Sequence, residues 1–144
     1  MQDLLGRVEV QRMRQFVQHG NISTFDHCLS VALLSYALVK LLHLPVNRRT
    51  LVLGAFLHDF YLYDWHHKGH VKLHGLRHPR IARQNAAALL HQPDEVTEII
   101  YSHMWPLTFR CIPRSLEGWV VCVADKTVTV QEVLRGWYDR IPNH

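Results

Sequence analysis

The chain has 144 residues, of which 48% are hydrophobic and 19% charged, and this composition indicates a globular domain and excludes a disordered chain. Its net charge of +4 suggests an anionic partner, and its twelve histidines are a rich source of metal ligands. No apolar run approaches the roughly 18–20 residues that a membrane span needs, and the N-terminus shows no signal-peptide core, so we expect neither a membrane protein nor a secreted one. Three cysteines without a CxxC pair argue against a disulfide framework and favour the cytoplasm.

Helical periodicity runs through most of the chain and predicts an all-α, compact single-domain helical bundle of about six helices. The second helix has three candidate caps, Ser23, Thr24 and Asp26. Asn47 is expected to cap the third helix, and Pro79 is expected in the first turn of the fourth. The predicted helices lie at about 4–18, 24–43, 47–60, 79–91, 92–105 and 114–138.

Two segments without clear periodicity, 61–77 and 106–114, are long for passive connections in a small domain. Long ordered loops often carry function, so we expect both to lie near a site. The apolar run WVVCV at 119–123 would suit a strand by itself, but its flanks favour one long helix. We therefore predict a single domain over 1–144, with its core at about 20–130.

A set of histidines and aspartates lies on the apolar faces or at the ends of the predicted helices. Successive members are separated by about one helix and its return loop, so that in a bundle they would project inward and meet. A buried imidazole or carboxylate is costly unless it is paired or bound to a metal. The set therefore predicts a metal site, and its members are His27, His58, Asp59, His78, His103 and Asp125.

Each member of this set also has a purely structural interpretation. His27 or His103 alone on an apolar face would suit a core histidine with satisfied hydrogen bonds. His58 and Asp59 would suit the end of a helix that faces water, and Asp125 would suit an ion pair with a nearby basic residue. Their joint occurrence, one or two to a helix, favours the metal site over these separate explanations.

Three short segments place a histidine, a His-Asp pair and an aspartate in chain order: DHCLSVA at 26–32, LGAFLHDF at 53–60 and VCVADK at 121–126. In an all-α chain this arrangement resembles the HD-domain superfamily of metal-dependent phosphohydrolases. The resemblance covers about residues 20–130, and the stretch HDFYLYDW…HGLRHP…SHMWP…ADK is also similar to a group of small bacterial HD proteins. The resemblance implies a helical fold with a divalent metal ion held by His27, His58, Asp59 and Asp125.

Binuclear branches of that superfamily bind a second metal ion through histidines between the doublet and the last aspartate. The resemblance implies that Asp59 bridges to a second ion held by His78 and His103, with His74 as the alternative to His78. Imidazole and carboxylate ligands suit Mn, Fe, Ni, Co or Zn, and no thiolate pattern selects Zn. Two such ions lower the pKa of a shared water and stabilise an in-line phosphoryl displacement.

The reaction implied by the resemblance is attack of a metal-activated water on a phosphate ester of a nucleotide or another small phosphorylated metabolite. His58 and Asp59 would act at the metal, with Asp59 orienting the water, and Lys126 would stabilise charge on the phosphate. Basic residues between the predicted ligands would bind the substrate, although a solvated loop also explains them. These residues are Lys68, Lys72, Arg77 and Arg80.

Two other interpretations remain open at this point. The same ligand order also resembles the mixed-valent di-iron oxygenases of the superfamily, of which myo-inositol oxygenase is one. Hydrolysis is preferred because it is the commoner reaction in the superfamily. The third interpretation is a non-enzymatic basic module that binds nucleic acid or protein, but the sequence has none of the usual nucleic-acid-binding motifs. The substrate and the oligomeric state stay open.

Overall fold

The computed structural model describes residues 2–66 and 73–139, and within them the chain is a helical bundle. A 3-10 turn (Arg12–Gln15) and an antiparallel pair of strands, β1 (Val17–His19) and β2 (Ile22–Ser23), precede the long helices. The prediction of an all-α fold is confirmed, with this small hairpin as an addition. The helices are α1 (Gln2–Leu5), α2 (Val8–Gln11), α3 (Thr24–Leu41), α4 (Arg48–Leu57), α5 (His74–Leu90), α6 (Asp94–Ser102) and α7 (Leu116–Tyr138).

Helix α3 lies at the centre of the bundle and packs against both α4 and α7. Helix α6 packs on α4 and also contacts α7, and α5 packs on α6. The apolar faces form one core that includes Val31 of α3, Phe56 of α4, Ile100 of α6 and Val121 of α7. This packing brings residues that are far apart in the chain to one place in the interior.

Side-chain caps begin three of the helices. Ser23 caps α3, Asn47 caps α4 and Ser115 caps α7, and each accepts a hydrogen bond from a backbone N–H of the first turn. The structure thus selects Ser23 among the three candidates for α3, and the expected cap at Asn47 is confirmed. Helix α7 runs without interruption through 119–123, so the choice of helix over strand for WVVCV is also confirmed.

The prediction of one helix at about 4–18 is wrong. This segment forms the single-turn helices α1 and α2, the 3-10 turn and strand β1. Gly6, a poor helix former, separates α1 from α2. Gly20, with φ +59°, makes the left-handed turn that returns the chain from β1 to β2.

The predicted start of the fourth helix is also wrong, because α5 begins at His74 and contains Pro79 inside it. A proline in the second turn has no N–H for the carbonyl four residues earlier, which belongs to Gly75. The helix tolerates this loss close to its N-terminus. Because α5 begins earlier than predicted, His78 lies within a regular helix. The orientation of its side chain therefore depends on how the whole of α5 is packed.

Helix α3 is long and apolar enough to cross a membrane by length and composition alone, with 18 residues and a mean hydropathy of 1.2. The expectation that no apolar segment would reach this length is therefore corrected. In this fold 44% of the helix is buried inside the protein, and its buried residues include the polar Thr24, His27 and Ser35. These are features of a central core helix.

Gly54 lies where α4 packs against α6. A Cβ at this position would lie 2.7 Å from Cγ2 of Ile99 and 2.9 Å from its Cβ. We expect Gly54→Ala to lower the free energy of unfolding by about 1–3 kcal/mol, because overpacking pushes the two helices apart. Urea denaturation of the metal-free protein measures this change.

Gly136→Ala on α7 is the matched control, since nothing lies within 4 Å of a Cβ at that position. Its free energy of unfolding should rise by up to about 1 kcal/mol, because alanine has the higher helix propensity. If Gly54→Ala were as stable as the wild type, the close approach of α4 and α6 would be contradicted.

Candidate metal centre

Six histidine and aspartate side chains meet in the interior of the bundle, and all of them are buried. Each long helix contributes at least one of them, from its own turns or from the residues directly after its C-terminus. Because the helices are packed by their apolar faces, these polar groups have little contact with water. They are His27 on α3, His58 and Asp59 after α4, His78 on α5, His103 after α6 and Asp125 on α7.

The first half of the cluster surrounds one oxygen of each aspartate. His27 Nε2 lies 3.2 Å from Asp125 Oδ1 and 3.9 Å from Asp59 Oδ2. His58 Nε2 lies 3.4 Å from Asp125 Oδ1 and 3.5 Å from Asp59 Oδ2. Two imidazoles and two carboxylates therefore present four ligand atoms to one small volume, which suits a divalent transition metal ion.

The second half of the cluster surrounds the other oxygen of Asp59. His78 Nε2 lies 3.0 Å from Asp59 Oδ1, and His103 Nε2 lies 3.5 Å from the same oxygen. The Nε2 atoms of His78 and His103 are 3.0 Å apart. The two oxygens of Asp59 thus face different pairs of histidines.

All four histidines are oriented by a hydrogen bond at Nδ1. Those of His58, His78 and His103 lie 2.7–3.0 Å from the backbone carbonyls of Ala55, His74 and Ile100. Because a carbonyl oxygen only accepts, each Nδ1 carries a proton and each Nε2 is directed into the cluster, where its lone pair becomes available to a metal ion once that nitrogen is deprotonated. A fixed Nδ1–H with a free Nε2 is the usual arrangement of a histidine that binds a metal.

Two atoms of the cluster lack a hydrogen-bond partner among the residues that the structure describes. They are His58 Nε2 and Asp59 Oδ1, and both are buried. A buried polar atom without a partner is costly, and coordination to a cation removes that cost. The donor set and these two atoms together fit bound divalent metal ions.

The histidines hold the two aspartates in the ionised form. Burial by itself raises the pKa of Asp59, but the positive charge of His58 and His78 outweighs it and holds that pKa well below its usual range. Burial also raises the pKa of Asp125, but hydrogen bonds from His27 and His58 outweigh burial and hold that pKa below its usual range. Both carboxylates are therefore available as ligands at neutral pH.

Two of the histidines are shifted in opposite directions in the metal-free protein. Burial lowers the pKa of His27, but hydrogen bonds with Asp125 and Glu132 outweigh burial and raise it to about 10. Burial and then the charge of His58 lower the pKa of His103 to about 3. At neutral pH, His27 is charged and His103 is neutral.

We expect the metal-free protein to be most stable near pH 6.5, the usual pKa of histidine. Above it, folded His27 keeps a proton that the unfolded chain releases, so its contribution is lost as the pH rises toward 10. Below it, the unfolded chain takes up a proton that folded His103 does not bind, so stability falls toward pH 3. Each group changes the free energy of unfolding by up to about 1.4 kcal/mol per pH unit. Denaturant titrations on both sides of the maximum measure the two slopes.

Glu132→Gln is the variant that separates the two slopes, because it removes a charged partner of His27 and leaves His103 unchanged. The loss of stability at alkaline pH should become smaller, and the loss at acid pH should stay. A wild-type profile that is flat above pH 6.5 would contradict a charged His27.

Two buried residues that the sequence patterns did not predict hold the cluster in place. Glu132 on α7 accepts a hydrogen bond of 2.8 Å from His27 Nδ1. Gln18 on β1 donates to Asp59 Oδ2. Glu132 had a signal in the sequence, because it lies seven residues after Asp125, two turns along the same helix face. Gln18 had none, since its segment was predicted to be helical.

Three further residues, Tyr61, Thr24 and His19, contact Gln18, its neighbours or His27. The hydroxyl of Tyr61 donates to Gln18 Oε1, and the Oγ1 of Thr24 lies 3.2 Å from that hydroxyl. His19, half-buried on β1, stands edge-on to His27 with ring centroids 5.6 Å apart. The hairpin therefore closes the N-terminal side of the cluster.

Three of the predicted basic residues fall within the described residues and lie outside the cluster: Lys126, predicted to stabilise charge on the phosphate, and Arg77 and Arg80, predicted to bind substrate. The Lys126 ammonium donates to the carbonyls of His103 and Cys122, at 2.9 and 3.3 Å. Arg77 and Arg80 on α5 are exposed, and Arg80 lies about 200° around the helix from His78. Lys68 and Lys72 lie outside the described residues.

His74, the alternative to His78, lies one turn earlier on α5 and stacks on His78 with ring centroids 4.7 Å apart. Its Nδ1 lies 2.8 Å from the hydroxyl of Tyr63, and its ring stacks on Trp65 at 4.9 Å. The structure therefore brings His78 to Asp59 and places His74 in an aromatic layer beside it.

Comparison with known proteins agrees with this architecture. The family model of the HD domain matches residues 24–129, a range that contains all six residues of the cluster. No curated protein and no solved structure matches the chain. HD domains bind divalent metals, and the buried cluster of histidine and aspartate fits that property. The match covers well over half of the sequence, and the chain belongs to the HD domain family.

Proposed function

We propose that this protein is a metal-dependent phosphohydrolase that works with two divalent ions. The observation that carries the proposal is the position of Asp59, whose Oδ2 faces His27 and His58 while its Oδ1 faces His78 and His103. A carboxylate placed in this way suits a bridge between two cations. Membership of the HD family, whose members are generally hydrolases, supports the reaction class.

In this proposal His27, His58, Asp59 and Asp125 hold the first ion, and Asp59, His78 and His103 hold the second. Nitrogen and carboxylate ligands suit Mn, Fe, Ni, Co or Zn. When bound, such ions supply a water of lowered pKa and positive charge to stabilise the phosphoryl group in the transition state.

The chain itself contributes rigidity and position. Three backbone carbonyls and Glu132 keep the histidine Nε2 atoms directed inward, and Gln18 holds Asp59 at Oδ2. Because burial excludes most water from the cluster, charges there act more strongly than in solvent. Catalysis would then depend on preorganised ligands with few mobile groups.

The substrate in this proposal is a small phosphate ester. Its hydrolysis breaks the P–O ester bond and adds water across it, which yields an alcohol and inorganic phosphate. Lys126 would contribute positive charge beside Asp125, although its ammonium is held by backbone carbonyls. Arg77 adjoins His78 and is exposed, so it would meet the substrate only at the rim; for Lys68 and Lys72, substrate binding stays a prediction.

Elemental analysis of anaerobically purified protein, followed by a panel of phosphate esters with and without oxygen, tests the proposal. We expect about two equivalents of a divalent metal and release of phosphate that is independent of O₂. Iron at two equivalents, with O₂ consumed in proportion to product, would replace the hydrolase by an oxygenase on the same scaffold. Absence of metal after reconstitution would leave a helical binding module.

We also propose a cytoplasmic location. Cys28, Cys111 and Cys122 are free thiols, and two of them are buried. Free thiols are typical of a reducing compartment, where disulfides are rare. Labelling of intact cells with a thiol reagent that does not cross membranes should leave Cys111, the one of the three that is not buried, unmodified.

A further inference from the structure

A cavity of about 490 Å³ reaches the cluster at Asp125. Met104 and Leu107, from the segment after α6, line one side, and Lys126, Thr129 and Val130 of α7 line the other. A larger cavity of about 860 Å³, between Tyr36 and Val96, contains none of the six cluster residues. The cavity at Asp125 is thus placed to receive a molecule that reacts at the metal centre.

The walls of this cavity are mostly apolar. Leu107 and Val130 line the cavity and are each more than half exposed, so they offer hydrocarbon surface that a ligand would cover. The Lys126 ammonium is held by the backbone carbonyls of His103 and Cys122, and its methylene stem adds apolar surface where Lys126 lines the cavity. Asp125 is itself held by His27 and His58, and the Thr129 hydroxyl donates a hydrogen bond of 3.5 Å to Asp125 Oδ1, so the side chains that line the cavity offer a ligand few free hydrogen bonds.

This lining discriminates between classes of phosphate ester. A nucleotide or a sugar phosphate would lose water from several hydroxyl and ring nitrogen groups and would regain few hydrogen bonds, which is costly. An alkyl or aryl group would cover Leu107 and Val130 and gain the free energy of apolar burial.

We propose that the cavity beside Asp125 binds the apolar part of the substrate, so that the enzyme acts on small esters of an aliphatic or aromatic alcohol with phosphate. The inference rests on the proposed function, because it assumes that the phosphate lies at the metal centre. A ligand group, and not a second protein, is the expected occupant, because the cavity is continuous with Asp125 of the cluster.

Binding and turnover of matched probes test the inference on metal-loaded protein. We expect phenylphosphonate to bind about tenfold more tightly than inorganic phosphate, because only the first has a ring to bury. Phenyl phosphate should be hydrolysed with a kcat/KM about tenfold above that of glycerol phosphate, with the difference mainly in KM. Calorimetry measures the two affinities without any turnover.

Val130→Asn is the diagnostic variant, and Val123→Asn is its matched control. Both valines are on α7, two turns apart, and they are 57% and 55% exposed, so neither exchange should prevent folding. Val130→Asn should weaken phenylphosphonate about five- to tenfold and inorganic phosphate less than about twofold, because only apolar contact is lost. Val123→Asn should leave both affinities unchanged, because Val123 does not line the cavity.

The binding of phenylphosphonate and the hydrolysis of esters can succeed or fail independently. Preference for phenylphosphonate that depends on Val130, without hydrolysis of any ester, would support the subsite and contradict the hydrolase. Hydrolysis of both esters with equal kcat/KM, and equal affinities in the two variants, would support the hydrolase and overturn the subsite. A dimer in the wild type that Val130→Asn, but not Val123→Asn, dissociates would assign this face to a second copy of the chain and also overturn it.

Discussion

Asp59→Asn should leave the protein with less than about a tenth of its metal and slow the hydrolysis of phosphate esters on the order of 10³-fold or more. Asparagine keeps the shape of the side chain but removes the negative charge that lies between His58 and His78. Since Asp59 contacts both halves of the cluster, its exchange should release both ions together. Elemental analysis and initial rates with saturating metal measure the two effects.

Asp64→Asn is the control for this experiment. Asp64 lies five residues further along the chain, is exposed and is outside the cluster, so its exchange should keep full metal content and activity. Retention of two ions in Asp59→Asn would contradict the bridging position and would require another anionic ligand.

His78→Ala should reduce the metal content from two ions to one and lower the rate about 10²- to 10³-fold. His78 lies on the Oδ1 side of Asp59, while His27, His58 and Asp125 form the other half of the cluster. The first ion should therefore remain. Metal titration monitored by calorimetry should show one binding step where the wild type shows two.

His74→Ala is the matched control, since His74 is the same residue type, one turn earlier on the same helix. Its ring contacts Tyr63 and Trp65, so the exchange should lower stability but keep two ions. One ion in His74→Ala and two in His78→Ala would exchange the roles of the two histidines.

Helices and their caps were predictable where they depend on residues close together in the chain. The apolar period of α3 and α7, and the cap at Asn47, depend on residues within a few turns, and these predictions are confirmed. The predictions for the N-terminal segment and for the start of α5 were wrong, because the hairpin depends on contacts that helical periodicity does not report and because Pro79 lies inside α5 and not in its first turn. Thr24, for example, donates its backbone N–H to the carbonyl of Phe16 across the hairpin.

An all-α chain was predictable from local patterns, because helical periodicity and residue type are local properties, and so was the position on or next to separate helices of His27, His58–Asp59, His78, His103 and Asp125. How these groups meet depends on the packing of the helices. The hydrogen bonds from Gln18 to Asp59 and from His27 to Glu132 span 41 and 105 residues, and no local pattern specifies them. Packing of α3 against α4 and α7 sets those distances, turns His78 rather than His74 toward Asp59, and leaves the apolar cavity beside Asp125.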